Sequence, residues 1–177
     1  YDLSSLQVIT YGAAPMPLEV IKRAIQVFPG TRFINALGQT ESAATITMLG
    51  PEDHVIEGSP QEMEVKLKRL GSIGKALPDV EVKIMDEDGS DLPPDGIGEI
   101  VARGSRIMKG YWKQDEATSA TIDANGWLHT GDLGYQDEEG YIFLSGRAKD
   151  IIKRGGEMIS PEELENVILE YPNVEDV

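Results

Sequence analysis

The sequence contains no cysteine, which excludes a disulfide framework and any thiolate metal site. Histidine is scarce too: His54 and His129 lie far apart, so a histidine-based zinc site is not expected. No apolar run approaches the roughly 20 residues that span a bilayer. The opening YDLSS has neither the basic segment nor the apolar stretch of a signal peptide. Positive charge is short, with 16 Lys+Arg against 31 Asp+Glu and a net charge of -15. That balance opposes nonspecific binding to nucleic acid or to an anionic membrane surface. A cytoplasmic protein with no nucleic-acid partner and no membrane span is the expectation. Internal repeats and low-complexity segments are also missing.

What remains is ordinary for a globular protein: 177 residues, 40% hydrophobic and 27% charged, enough for one average domain or two small ones. The chain begins with Tyr1 rather than Met, and YPNVEDV ends as an apolar strand begins. A piece of a longer protein is therefore expected.

The first sixty residues read as α/β. LQVITYG is a short apolar, β-branched run suited to a buried strand. From Pro17 onward Leu18, Ile21, Ile25 and Phe28 recur every three to four residues, which predicts a helix that Pro29-Gly30 ends. RFINAL is a second strand. Strand, helix, strand is the pattern of a parallel unit, whose ligands sit outside the carboxyl ends of the strands. YGAAP and LGQTE occupy those ends. Residues 51–69 read as a polar surface excursion. From residue 71 to 143, short alternating runs such as VEVKIM, GEIVARG and GYIFLSG are separated by turn clusters, which predicts a small antiparallel sheet or distorted barrel. Near the end Ser160, Pro161 and Glu163 form a capping box for a helix whose apolar face is Leu164, Val167 and Ile168.

Two acidic or glycine-rich stretches fail as ligand loops. DEDGSDLPPDGIGE has Asp91 where a calcium loop from Asp86 needs glycine, so it reads as a solvated hairpin. GSIGKALP lacks the Lys-Ser/Thr ending of a phosphate loop and reads as a turn packed on a strand. In GWLHTGDLGY, Asp132 can accept two hydrogen bonds, as a ribose diol would donate, or can cap its own turn. His129 beside it reads as a partly exposed strand residue. In SGRAKDIIKRGGE, Arg147 suits a ribose, a phosphate or a surface ion pair, and Gly155-Gly156 suits either a turn or the close passage of a narrow ligand. In NALGQTES, a glycine followed by Thr40 and Glu41 suits the start of a helix, or a phosphate with its metal ion.

Taken in order, GAAP, GQTE, GEIVARGSRIMKGYW, LHTGDLG and SGRAKDIIKRGGEMISPEELE closely resemble the adenylate-forming superfamily of acyl-CoA synthetases, peptide adenylation domains and firefly-type luciferases. The resemblance covers nearly the whole chain and is nearest to fatty or aryl acyl-CoA ligases. It implies an α/β fold: a parallel strand-helix part of the AMP-binding domain over residues 1–70, a small antiparallel β subdomain over 71–147, and the hinge and start of a mobile α+β C-terminal domain over 148–177. It implies Mg-ATP activation of a carboxylic acid to acyl-AMP, then transfer of the acyl group to CoA or another thiol.

By the same resemblance, Gly12, Ala13 and Ala14 match the adenine-contacting turn, with Asn35 at the adenine edge. Leu37 stands where many members have an aromatic residue stacked on adenine, so an aliphatic contact replaces the ring. Gly38 and Gln39 line that turn. Thr40 matches the hydroxyl that bonds the α-phosphate and Glu41 the carboxylate that holds Mg²⁺; these two are the catalytic assignments. Asp132 and Arg147 match the ribose-binding pair, Lys149 the hinge and Gly156 the pantetheine channel for CoA. Ala36, Gly38, Ala43 and Ala44 border the implied acyl pocket. The family's Ser/Thr/Gly-rich phosphate loop and its C-terminal catalytic lysine have no counterpart within the 177 residues, so catalysis is expected to need the remainder of the polypeptide. Three readings stay open: acyl-CoA ligase, carrier-loading adenylation domain, and noncatalytic nucleotide-binding module.

Overall fold

The computed structural model describes residues 2–14, 16–154, 157–159, 161–169, 171, 173 and 174. Strand β1 (Val8–Gly12) and helix α1 (Leu18–Val27) lead into β2 (Arg32–Leu37), which pairs parallel to β1. The spacing that predicts α1 is visible in its packing: Ile21 is buried, and Leu18, Ala24, Ile25 and Phe28 pack against the same cluster.

The parallel arrangement stops there. After β2 the chain makes a tight 3-10 turn, Thr40–Ser42, and returns antiparallel as β3 (Thr47–Leu49), followed by the short β4 (Lys75–Ala76). The first sheet has the order β1-β2-β3-β4 and is mixed. A turn of so few residues cannot house the crossover that a parallel neighbour needs.

The 51–69 segment departs from its reading as a surface excursion. It folds as a 3-10 turn, Pro51–His54, and as helix α2 (Pro60–Leu70). The cap of α2 is complete: the Glu62 amide donates to Ser59 Oγ at 3.4 Å, and the Ser59 amide donates to Glu62 Oε2 at 2.7 Å. Pro60 fills the first turn, and Lys68 and Arg69 face the negative end of the helix dipole. His54 is buried rather than displayed.

The second sheet is antiparallel with order β5-β6-β7-β8: β5 (Val80–Met85), β6 (Gly98–Gly104), β7 (Leu128–Gln136) and β8 (Ile142–Arg147). Strand alternation explains its two faces. Val80, Val82, Ile84, Ile100, Ala102 and Ile142 point into a core shared with Ile46 and Ile73, while Met85, Val101 and Trp127 form a separate cluster. Helix α3 (Asp115–Thr121) links β6 to β7.

Residues 71–74 join the sheets. The Ile73 amide donates to the Ile142 carbonyl at 2.8 Å, and the Ile142 amide donates to the Gly74 carbonyl at 2.9 Å. Tyr141 extends this junction, its hydroxyl donating to Asp53 at 2.7 Å with the cations of Arg69 and Lys75 near its ring. Past β8 lie the hairpin β9 (Ile152–Arg154) and β10 (Glu157–Ile159) and helix α4 (Pro161–Leu169). Leu164, Val167 and Ile168 on that helix are exposed; the Ser160 cap lies outside the described residues. Among the described residues no helix is long and apolar enough to cross a membrane.

Candidate functional site

β1 and β2 end side by side, with Gly12 opposite Ala36. Gly12 has φ +146, and a Cβ there would run into the Ala36 carbonyl, so the close approach of these strand ends needs glycine. Ala13 follows with φ 65, a left-handed conformation that costs an L-residue about 1 kcal/mol. The turn after β2 is similarly constrained. The Gln39 amide donates to Ser42 Oγ at 3.0 Å, the Ser42 hydroxyl and amide both bond the Gln39 carbonyl, and Ala43 and Ala44 have φ 50 and 78. The Ile46 amide closes the turn on the Leu37 carbonyl at 2.8 Å. Non-glycine residues in this region persist only where the surroundings fix them.

The facing wall comes from the second sheet. Register shifts between Glu99 and Val101 and between Leu133 and Gly134 bulge β7 where HTGD lies. Glu99 holds that bulge: Oε1 accepts the Gly131 amide at 2.9 Å, and Oε2 accepts from His129 Nδ1 at 2.7 Å. Thr130 Oγ1 donates to the Ile100 carbonyl at 2.6 Å and accepts the Asp132 amide at 3.1 Å. Asp132 is thereby opposite Arg147 on β8, with Oδ1 3.2 Å from Arg147 Nε. Burial pushes the Asp132 carboxyl above its ordinary range; Arg147 opposes that and Glu99 adds to it.

Between these walls is an open cleft of about 170 Å³. The structure brings nine of the predicted residues to it: Gly12, Ala13 and Ala14 on one strand end, Asn35, Ala36, Leu37 and Gly38 on the next, and Asp132 and Arg147 across from them. Leu37 also packs on the core containing Ile46, so it forms an apolar floor. Gln39, Thr40, Glu41, Ala43 and Ala44 do not line the cleft; they occupy the turn immediately beyond Gly38, with Thr40 exposed. Of the four acyl-pocket residues, Ala36 and Gly38 reach the cleft. Lys149 is exposed in the turn after β8, where the Asp150 amide donates to the Arg147 carbonyl at 2.9 Å. Gly156 lies outside the described residues.

Sequence reasoning missed several cleft residues. Ser72 and Ile73, read as a packed turn, serve both purposes: they join the sheets and also form part of the wall, and Asn35 Nδ2 reaches the Ser72 carbonyl at 3.5 Å. Tyr11, the residue before Gly12, lines the cleft as well. Tyr111 belongs to the turn beyond it: its hydroxyl donates to Glu41 Oε1 at 2.6 Å. The GYW run carries Tyr111, but nothing in the sequence shows that it meets a carboxylate 70 positions earlier.

Among the described residues no cluster of three or more His, Asp or Glu side chains could cage a metal. Glu41 is instead a single, partly buried carboxylate with one oxygen held by Tyr111. That donor set fits Mg²⁺, which prefers oxygen, keeps several waters, and is bound through one or two carboxylates plus substrate phosphates.

The family described as AMP-binding enzyme matches residues 1–112, more than half of the sequence. The chain belongs to this AMP-binding enzyme family. The curated relatives of this family member include a probable CoA ligase, CCL5, of Humulus lupulus, 41% identical over 99% of this chain and 30% of that protein. Acyl-CoA synthetase 7 of Caenorhabditis elegans is 36% identical over 100% of this chain and 30% of its own length. The chain thus spans about 30% of these relatives. Among solved structures, the amide bond synthetase McbA of Marinactinospora thermotolerans superposes with a TM-score of 0.86 at 34% identity, covering 99% of this chain and 33% of that one. The o-succinylbenzoate CoA synthetase of Bacillus subtilis, in complex with its acyl-adenylate intermediate, gives 0.80 at 36% identity, covering 97% and 32%. The same enzyme is also known in complex with ATP and magnesium ion. The α/β fold with two sheets is that of adenylate-forming enzymes.

Proposed function

We propose that this AMP-binding chain is part of an acyl-CoA ligase, in which the cleft holds the nucleoside half of ATP while a carboxylic acid is activated and passed to CoA. The observation that carries this reading is the meeting of Asp132 and Arg147 with the two strand-end turns around residues 12–14 and 35–38, across more than ninety residues of sequence.

Adenine fits between the Gly12–Ala14 backbone and the aliphatic side of Leu37, with Asn35 at its edge. The Asp132 carboxylate accepts from the ribose diol, and Arg147, already paired to it, steadies its orientation. Thr40 donates its hydroxyl to the α-phosphate. Glu41 holds Mg²⁺, which when bound neutralises the charge developing on the phosphates. The acid's carboxylate oxygen then bonds to the α-phosphorus as the bond to the β-phosphate bridging oxygen breaks, releasing pyrophosphate. Alignment and charge neutralisation supply most of the rate. In the second step the acceptor sulfur bonds the acyl carbon and AMP leaves. Lys149 acts as the hinge between the two steps, and Gly156 borders the thiol channel.

The test is acid-dependent exchange of pyrophosphate into ATP by the complete protein, followed by CoA-thioester formation. Glu41→Gln is expected to lower exchange on the order of a hundredfold with the thermal midpoint unchanged; exchange at the wild-type rate rejects the role. The likeness to an amide bond synthetase favours a second reading, in which an amine takes the acyl group. Product analysis with CoA and with amines in parallel separates the two, and loading of a carrier protein would identify an adenylation domain.

A further inference from the structure

The segment after β6 folds back over the turn that carries Thr40 and Glu41. The Met108 amide donates to the Glu41 carbonyl at 2.8 Å, and the Tyr111 hydroxyl donates to Glu41 Oε1 at 2.6 Å. Tyr111 is itself fixed: its amide donates to Thr118 Oγ1 at 2.9 Å, and that hydroxyl donates to the Gln114 carbonyl at 2.9 Å on entry to α3. The phenol therefore reaches Glu41 from a rigid support rather than from a free loop.

A carboxylate has two oxygens and rotates freely unless one is held. The 2.6 Å separation is that of a charge-assisted O–H···O⁻ bond, about twice as strong as a neutral one. Among the described residues no other donor reaches the carboxylate, which leaves Oε2 open.

We propose that Tyr111 is the positioning residue for the Glu41 carboxylate, holding Oε1 so that Oε2 faces the magnesium ion of Mg-ATP in one orientation. The proposal rests on the reading of Glu41 as the metal ligand. It assigns the Tyr111 ring, contributed by the second sheet's β6–α3 connection, to a carboxylate carried by the turn that follows β2 of the first sheet. The turn that carries Glu41 and the segment that orients it then work as one unit.

The test uses Mn²⁺ as the probe on the complete protein with ATP and no acid, so that binding is read without turnover. Bound Mn²⁺ is measured by loss of the free-ion electron paramagnetic resonance signal. Tyr111→Phe keeps the ring and removes only the donor. It is expected to weaken Mn²⁺ binding about tenfold, with metal-free AMP affinity unchanged and the thermal midpoint lowered only by the loss of that one hydrogen bond. The Mg²⁺ concentration for half-maximal pyrophosphate exchange should rise by the same factor at nearly constant maximal rate. In a Glu41→Gln background Tyr111→Phe should add nothing, since its effect runs through that carboxylate. If Glu41→Gln leaves Mn²⁺ binding intact, the metal reading itself falls. If Glu41→Gln weakens binding but Tyr111→Phe does not, or if Tyr111→Phe weakens metal-free AMP binding equally, the positioning role is overturned while the metal reading stands.

Discussion

At the scale of single residues, His54 shows how a polar group can be structural and still touch the site. Its Nδ1 lies 2.7 Å from the Gly50 carbonyl, which can only accept, so Nδ1 carries the proton and Nε2 accepts from the Tyr11 hydroxyl at 2.9 Å. The ring stacks on Phe33, and Tyr11 lines the cleft. Burial lowers the His54 pKa below 6.5, and burial also pushes the Tyr11 phenol up to about 12. A lowered folded pKa means that the unfolded chain binds the proton first on acidification. The stabilising contribution is therefore complete above pH 6.5 and is lost as pH falls through 6.5 towards the folded value. The complete protein should lose thermal midpoint between pH 7 and 5.5, and His54→Gln should flatten that slope while lowering the midpoint at pH 7. An unaltered slope in the variant would remove His54 as its source. The sequence could not show this role, because a lone histidine in PEDH carries no sign of burial. Asp132 and Arg147 were legible, since the HTGD and SGR runs each name one partner and strand register brings them together.

At the scale of elements, the connection at 71–74 does more than its length suggests. Gly74 has φ +78, and a Cβ there would collide with the backbone of Met48 and Leu49. Both sheets therefore depend on the absence of a side chain at one position. Gly74→Ala combines a left-handed alanine with a backbone collision and should cost at least about 2 kcal/mol, read as a lower denaturation midpoint. Gly30→Ala has a similar φ of +82 but meets no atom, so it isolates the conformational part and should cost less. Equal losses would show that the contact with Met48 does not matter. The same contrast between local and distant causes explains which elements could be read. The α1 periodicity and the β5 alternation record local burial and were visible. α2 carries no helical signal in its interior because only its last residue, Leu70, is buried, which leaves no apolar stripe. Its one local signal was SPQE, whose Ser59, Pro60 and Glu62 form the cap. β3 and β4 are too short for any pattern, and their pairing is set by the turn before β3 and by Gly74.

At the scale of the molecule, charge decides what the chain can do alone. Among the described residues that line the cleft, Arg147 is the one cation and Asp132 the one anion, and they pair with each other. A polypeptide of net charge -15 therefore brings no surplus positive charge to this cleft, where the proposed reading seats adenine and ribose. Glu41 adds a further negative group next to the cleft, so on the proposed reading a metal-bound nucleotide is expected to be held better than a bare one. The apolar surface points the same way: Leu3, Val8, Val20 and Val27 are exposed around β1 and α1, and β1 is an edge strand. An open edge with apolar neighbours is a surface built to be covered, and the chain spans about 30% of the two curated relatives named above. On the proposed reading, cations for the β- and γ-phosphates are expected from outside this cleft. A 177-residue polypeptide of this sequence is expected to bind ATP no more tightly than AMP, because among the described residues lining the cleft no unpaired cation remains for the additional phosphates. It is also expected to catalyse no acid-dependent pyrophosphate exchange, whereas on the proposed reading the complete protein is expected to bind ATP more tightly than AMP and to catalyse that exchange. Tighter binding of ATP than AMP by the isolated chain, measured calorimetrically at low salt where any phosphate contact is strongest, would place a triphosphate site within these residues and overturn the argument.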